Sequence, residues 1–113
     1  MAVIGGGPAG CAAARAAARE GAAVALVEAA SVGGRAATAT TIPMRVLTRA
    51  ADRGVKDWPA IRDEMAERGR AWSERLAMTL DDAGVQLVSA RARFAGRARS
   101  RSRAAGRSPS SAR

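Results

Sequence analysis

Gly5, Gly7 and Gly10 stand at G-x-G-x-x-G spacing, directly after the apolar pair Val3-Ile4. Residues of this type and spacing can hold a pyrophosphate. Gly5 lets the chain turn tightly out of a strand, Gly7 puts no side chain between backbone and phosphate, and Gly10 lets a following helix pack close to that strand. Pro8 and Ala9 complete the loop and open the helix, whose first N–H groups then face the phosphates. Glu28 lies 18 residues after Gly10, at the end of the apolar run Ala23–Val27. An acid about 20 residues beyond such a loop can accept hydrogen bonds from a ribose. The combined chemistry is that of a dinucleotide-binding loop. A glycine-rich turn without a ligand, and for Glu28 a solvated acid at a strand end, are the plainer alternatives.

Those residues need a strand, a helix and a second strand to position them. The pattern predicts a first strand over about residues 2–5 and a helix from Pro8 or Ala9 to Glu20, stopped by Gly21. Alanine is the best helix former, so Ala12–Ala18 is helical by propensity as well as by context. A second strand is expected over Ala23–Val27, then a loop from Ser31 to Thr41 containing Gly33-Gly34. Pro43 opens a second helix running to about Arg53, where Gly54 ends it. Pro59 opens a third, to about Asp82, with Ile61, Met65, Trp72, Leu76 and Leu80 on one stripe read as core packing. Gly84 closes that helix, and Val85–Val88 reads as a third strand. The expected fold class is α/β: a Rossmann-like βαβ start, a helical segment and a third strand, forming an incomplete domain with a basic tail.

The chain has 113 residues, enough for one small domain at most. Its apolar fraction is 48%, but much of that is alanine and only 3% of residues are aromatic, so the core is expected to be thin. No apolar run reaches the roughly 18 residues of a membrane span. Met1-Ala2-Val3-Ile4 lacks the basic start of a signal peptide, and a cytoplasmic location is expected. With Cys11 the single cysteine and no histidine, the chain can form no intramolecular disulfide and is a poor candidate for a metal site. Cys11 itself reads as a small packed residue.

Charge is unevenly distributed. Residues 1–90 carry 11 basic and 10 acidic side chains, a net charge of +1, whereas residues 91–113 carry eight arginines and no acid. Residues 97–113 use only Arg, Ala, Ser, Gly and Pro. Such a segment buries too little surface to offset its ordering entropy and is expected to be disordered. The expected division is therefore a partial dinucleotide-binding domain over 1–96 and a tail over 97–113.

The run Val3–Gly10 through Glu28, then Val32-Gly33-Gly34-Arg35, Ile42-Pro43 and Val46-Leu47, resembles the N-terminal FAD-binding part of the FAD-dependent pyridine nucleotide–disulfide oxidoreductases. Dihydrolipoyl dehydrogenase, mercuric reductase and soluble transhydrogenase belong to that family. The resemblance covers about residues 1–96 and continues through Gly84-Val85 to Phe94. Family members carry Gly-Gly-Thr-Cys, four residues, Cys, then Ile-Pro-Ser-Lys, and the spacing here matches without a gap. The resemblance implies FAD as cofactor and NAD(P)H as co-substrate in full-length, homodimeric relatives. It also implies that Gly5, Gly7, Pro8, Ala9 and Gly10 hold the pyrophosphate and that Glu28 takes the adenosine ribose. Gly33, Gly34 and Arg35 would lie near the ribityl–pyrophosphate region, and Arg45, in place of the family lysine, near the isoalloxazine. An ordinary turn competes as the reading of Gly33-Gly34, and a solvated helix arginine as that of Arg45.

This sequence departs from the family where the redox disulfide would lie. Ala36 and Thr41 occupy the two cysteine positions, and Met44 the preceding serine. Neither Ala36 nor Thr41 can form a thiolate, so no catalytic residue is assigned. The resemblance then implies hydride transfer through the flavin, from NAD(P)H to a small-molecule acceptor, in a cysteine-less branch.

Family enzymes are several times longer, and no second G-x-G-x-x-G occurs. The abrupt change near Gly96, into residue types that GC-rich codons yield out of frame, suggests a truncated product with a frameshift there. A fragment with uncovered sheet edges is expected to fold poorly and to bind FAD weakly or not at all. Two other readings compete. A small basic protein could bind nucleic acid through its arginines, but Phe94 is the only aromatic there for stacking, and nucleic acid is not the expected partner. The N-terminus could instead belong to a flavin monooxygenase or a desaturase-like enzyme.

Overall fold

The computed structural model describes residues 1–97 and 99–104, with side chains over the first of these ranges. The chain runs β1 (Ala2–Ile4), α1 (Pro8–Arg19), β2 (Ala25–Glu28), α2 (Gly34–Thr38), α3 (Thr41–Asp52), α4 (Trp58–Asp82), β3 (Gln86–Gly96) and β4 (Arg99–Ala104). The strands form one sheet in the order β1-β2-β3-β4. The first three are parallel, with Val3 beside Leu26 and Leu26 beside Leu87. Helices cross between parallel strands, as a βαβ arrangement requires.

Local chemistry sets the boundaries. Pro8 starts α1, where its missing N–H costs nothing. The helix stops at Gly21, whose φ of 87° only glycine adopts without strain, and Ala22 N–H returns to Ala17 O at 3.1 Å. Asp57 caps α4 by accepting the Ala60 N–H at 3.2 Å, with Pro59 in the first turn. Gly84 ends α4, and Val85 N–H bonds Leu80 O at 2.9 Å as the chain enters β3.

Two small cores result. Cys11, Ala14, Val24, Leu26, Leu80 and Val85 fill the space between α1, the sheet and the end of α4. Val46, Ala50 and Ile61 join α3 to the start of α4, with Met65 against them. Leu26 and Leu80 are the largest fully buried side chains among the described residues, each worth about 1.5–3 kcal/mol of burial. The expected α4 stripe is thus divided: Ile61 and Leu80 are buried in separate clusters, while Met65, Trp72 and Leu76 between them are half-buried.

Three features differ from the sequence reading. The expected loop Ser31–Thr41 contains a short helix, α2, which five residues with two glycines flanking its start do not announce. β3 continues eight residues past Val88, to Gly96. Residues 99–104, expected to be without regular structure, form β4, antiparallel to β3 with Arg91 opposite Arg103 and Arg93 opposite Arg101. Main-chain pairing needs no large apolar side chains, so an Arg/Ser/Ala segment can still make a ladder where a strand edge is offered. The rest of the expected disordered tail, residue 98 and residues 105–113, lies outside the described residues.

Among the described residues β1 pairs on one side only, and Ile4 on it is 44% exposed. No helix of the described residues is long and apolar enough to cross a membrane.

Candidate functional site

The C-terminal ends of β1 and β2 bring the glycine loop and Glu28 together. Gly5 leaves β1 with φ 97°, and its N–H bonds Val27 O at 2.8 Å, so the loop stays tied to β2 as it turns. Gly7 is the N-cap of α1, with extended backbone and no capping side chain. Ala9 and Gly10 follow in the first turn, where N–H groups have no intrahelical acceptor. No acid occupies that turn, so the positive end of the helix is left for an outside anion.

The three glycines are not equivalent. A Cβ on Gly10 would overlap the carbonyl oxygen of Gly5, so α1 can approach β1 only with glycine there. A Cβ on Gly7 would meet nothing within 4 Å. The space over Gly7 is open to a ligand.

Glu28 ends β2 with both carboxylate oxygens engaged. Oε2 accepts the Gly6 N–H at 2.6 Å and Oε1 the Ala30 N–H at 2.9 Å. Burial opposes its ionisation, but the N–H groups of Ala30, Gly6 and Ala29 outweigh burial and hold its carboxyl below the ordinary glutamate range. Each oxygen keeps further accepting capacity for a hydroxyl.

Gly33 and Gly34 close the loop from the other side. Gly33 N–H bonds Gly6 O at 2.7 Å, and a Cβ on Gly34 would lie 3.3 Å from Gly7 Cα. Both have positive φ, 106° and 54°. They are structural partners of the glycine loop, and not merely a flexible turn. Gly6, which the sequence spacing leaves as an unassigned position, is the hub: its N–H serves Glu28 and its carbonyl serves Gly33 and the Cys11 thiol, 3.2 Å away.

Cys11 is buried behind this loop. Burial pushes its thiol pKa up, the nearby Glu28 charge adds to that, and a backbone hydrogen bond from Gly33 and the Arg15 charge only partly offset it. A thiol so placed is a packed group and a poor nucleophile.

Arg35 on α2 and Arg45 on α3 are exposed, and neither makes an ion pair among the described residues. Ala36 is half-buried on α2, and Thr41 is exposed at the start of α3. Sequence reasoning passed over Gly69, buried in the middle of α4. A Cβ there would stand 2.7 Å from Ala37 O, so this glycine lets α2 lie against α4. A glycine inside a long helical pattern is the signal that marks such a contact. Among the described residues no group of three His, Cys, Asp or Glu side chains could hold a metal ion.

The loop fits FAD at the dinucleotide end. Open space over Gly7, unengaged helix-start amides and a carboxylate with accepting capacity match a pyrophosphate and an adenosine ribose.

Solved structures share this arrangement. The Cu(II) complex of the HOCl-induced flavoprotein disulfide reductase RclA from Escherichia coli matches with a TM-score of 0.81 at 24% identity, over 89% of this chain and 24% of that one. Another RclA structure matches with 0.74 at 26% identity, over 82% and 22%. LpdA from Mycobacterium tuberculosis matches with 0.66 at 28% identity, over 80% and 23%. This chain therefore spans about a quarter of the length of those proteins. No curated protein matches it. The family model for FAD dependent oxidoreductases matches residues 1–97, nearly all of the described chain, and the protein belongs to that family.

Proposed function

We propose that this chain supplies the FAD-binding start of an enzyme that passes a hydride from NAD(P)H through the flavin to a small-molecule acceptor, without a redox disulfide. In that reading FAD supplies the hydride-accepting chemistry. The chain's own residues bind and orient it. The amides of Ala9 and Gly10 face the pyrophosphate, Gly7 leaves room for it, and Glu28 receives the adenosine ribose. Arg35 and Arg45 contribute positive charge on the helices that follow Gly33-Gly34.

The observation that carries the disulfide-free reading is the lack of a thiol at the two positions where the family's redox cysteines would fall. Ala36 and Thr41 stand at the family's cysteine positions, and Cys11 is buried with a raised pKa. The test is NAD(P)H-driven turnover of the whole enzyme after reduction and thiol alkylation. Turnover unchanged by iodoacetamide is expected. Loss of turnover on alkylation would show a catalytic thiol and overturn the reading.

A further inference from the structure

The helical pair α3–α4 encloses a groove away from the glycine loop. Its volume is about 270 Å³, and Arg45 and Arg49 from α3 meet Arg68 and Arg75 from α4 around Trp72. Arg45 and Arg49 are one turn apart on α3. Arg68, Trp72 and Arg75 are at successive turns of one face of α4. The residues lining this groove include no acid.

The other large cavity along α4 is different. It measures about 700 Å³, and there Arg62 and Arg70 are matched by Asp63 and Glu74. Toward the larger cavity α4 presents both signs of charge, whereas toward the groove it presents Arg68 and Arg75, with Glu64 beside them paired to Arg68. Of the four groove arginines, Arg68 is paired, with Glu64 at 2.7 Å, and Arg45, Arg49 and Arg75 make no ion pair among the described residues. Like charges one turn apart on a helix repel, and gathering four guanidiniums around a concavity raises the potential there. A bound anion would neutralise that potential.

We propose that the α3–α4 groove binds a small phosphate-bearing ligand, with Arg49 and Arg75 gripping phosphate oxygens from opposite walls. Guanidinium forks match phosphate oxygens in pairs, which a lysine cannot do. Trp72 supplies a flat apolar wall for a ring carried by the same ligand. Its Cε3 lies 3.3 Å from where a Cβ on Gly33 would be. Arg45 is shared with the residues proposed to hold FAD, whereas Arg49 and Arg75, which carry the phosphate contact, are not.

The test is calorimetric titration of the 113-residue chain with inorganic pyrophosphate, repeated for Arg49→Gln and Arg75→Gln. Circular dichroism melts check that each variant folds as the parent does. Saturable binding is expected, about tenfold weaker in each variant and weakened by added salt, as loss of a charge-assisted contact predicts. FAD binding by the same variants should stay unchanged, which separates this groove from the glycine loop. Pyrophosphate binding that neither variant weakens would place the anion elsewhere, the glycine loop being the obvious seat, and would overturn the proposal. So would the absence of binding, or of a cooperative melt, because a site built from two helices requires them assembled.

Discussion

Glu28 Oε2 accepts the Gly6 N–H at 2.6 Å, which fastens the end of β2 to the middle of the glycine loop. The acid expected to serve a ribose therefore already has a structural role before any ligand arrives. Its carboxylate shapes the loop that would hold the pyrophosphate, and only its spare lone pairs are left for hydroxyls.

Replacing Glu28 by alanine is expected to lower FAD affinity about tenfold or more, in keeping with about 1.5–3 kcal/mol for hydrogen bonds to a charged group. A flavin fluorescence titration measures this. Glu28→Gln should retain part of the affinity, since its amide oxygen can still accept one N–H.

The same carboxylate predicts a pH dependence. Its folded pKa lies below the ordinary glutamate value. The stability it contributes is then fully present above the unfolded pKa and is lost as pH falls toward the folded pKa. Denaturant melts between neutral and acidic pH should show a fall in stability across that window that Glu28→Gln does not show.

Gly7 and Gly10 predict opposite outcomes for the same substitution. Gly10→Ala drives a Cβ into Gly5 O, an overpacking cost of about 1–3 kcal/mol that should lower the melting temperature by about 4–8 °C for each kcal/mol. Gly7→Ala meets nothing in the fold and has negative φ, so its melt should stay within about 4 °C of the parent. Equal melting of the two variants would contradict this assignment.

Gly69→Ala sets two effects against each other. Alanine favours a helix interior over glycine by about 1 kcal/mol. The added Cβ would lie 2.7 Å from Ala37 O, a contact that forces α2 away from α4 at about 1–3 kcal/mol. The clash wins, and thermal denaturation should show a net loss of stability.

How far these features were legible in the sequence follows from how local their causes are. The glycine loop, α1 and the acid closing β2 are written in consecutive residues, and the structure has them within a few residues of the expected places. Gly33-Gly34 announced a turn, but their bonds to Gly6 and Gly7 depend on where α2 settles, which five short residues do not encode. The length of β3 was hidden because Arg91, Ala92 and Arg93 carry no apolar alternation. Their order comes from backbone pairing to β4, which hydrophobic patterning cannot register. Arg35 and Arg45 were placed by resemblance; both are exposed, and neither makes an ion pair among the described residues.

The most direct measurement is a titration of the 113-residue chain with FAD, followed by flavin fluorescence, beside the Gly7→Ala variant. The glycine loop as the dinucleotide seat predicts weak, saturable quenching by the parent chain that the variant loses while melting at the same temperature. Quenching of equal strength in both would contradict it.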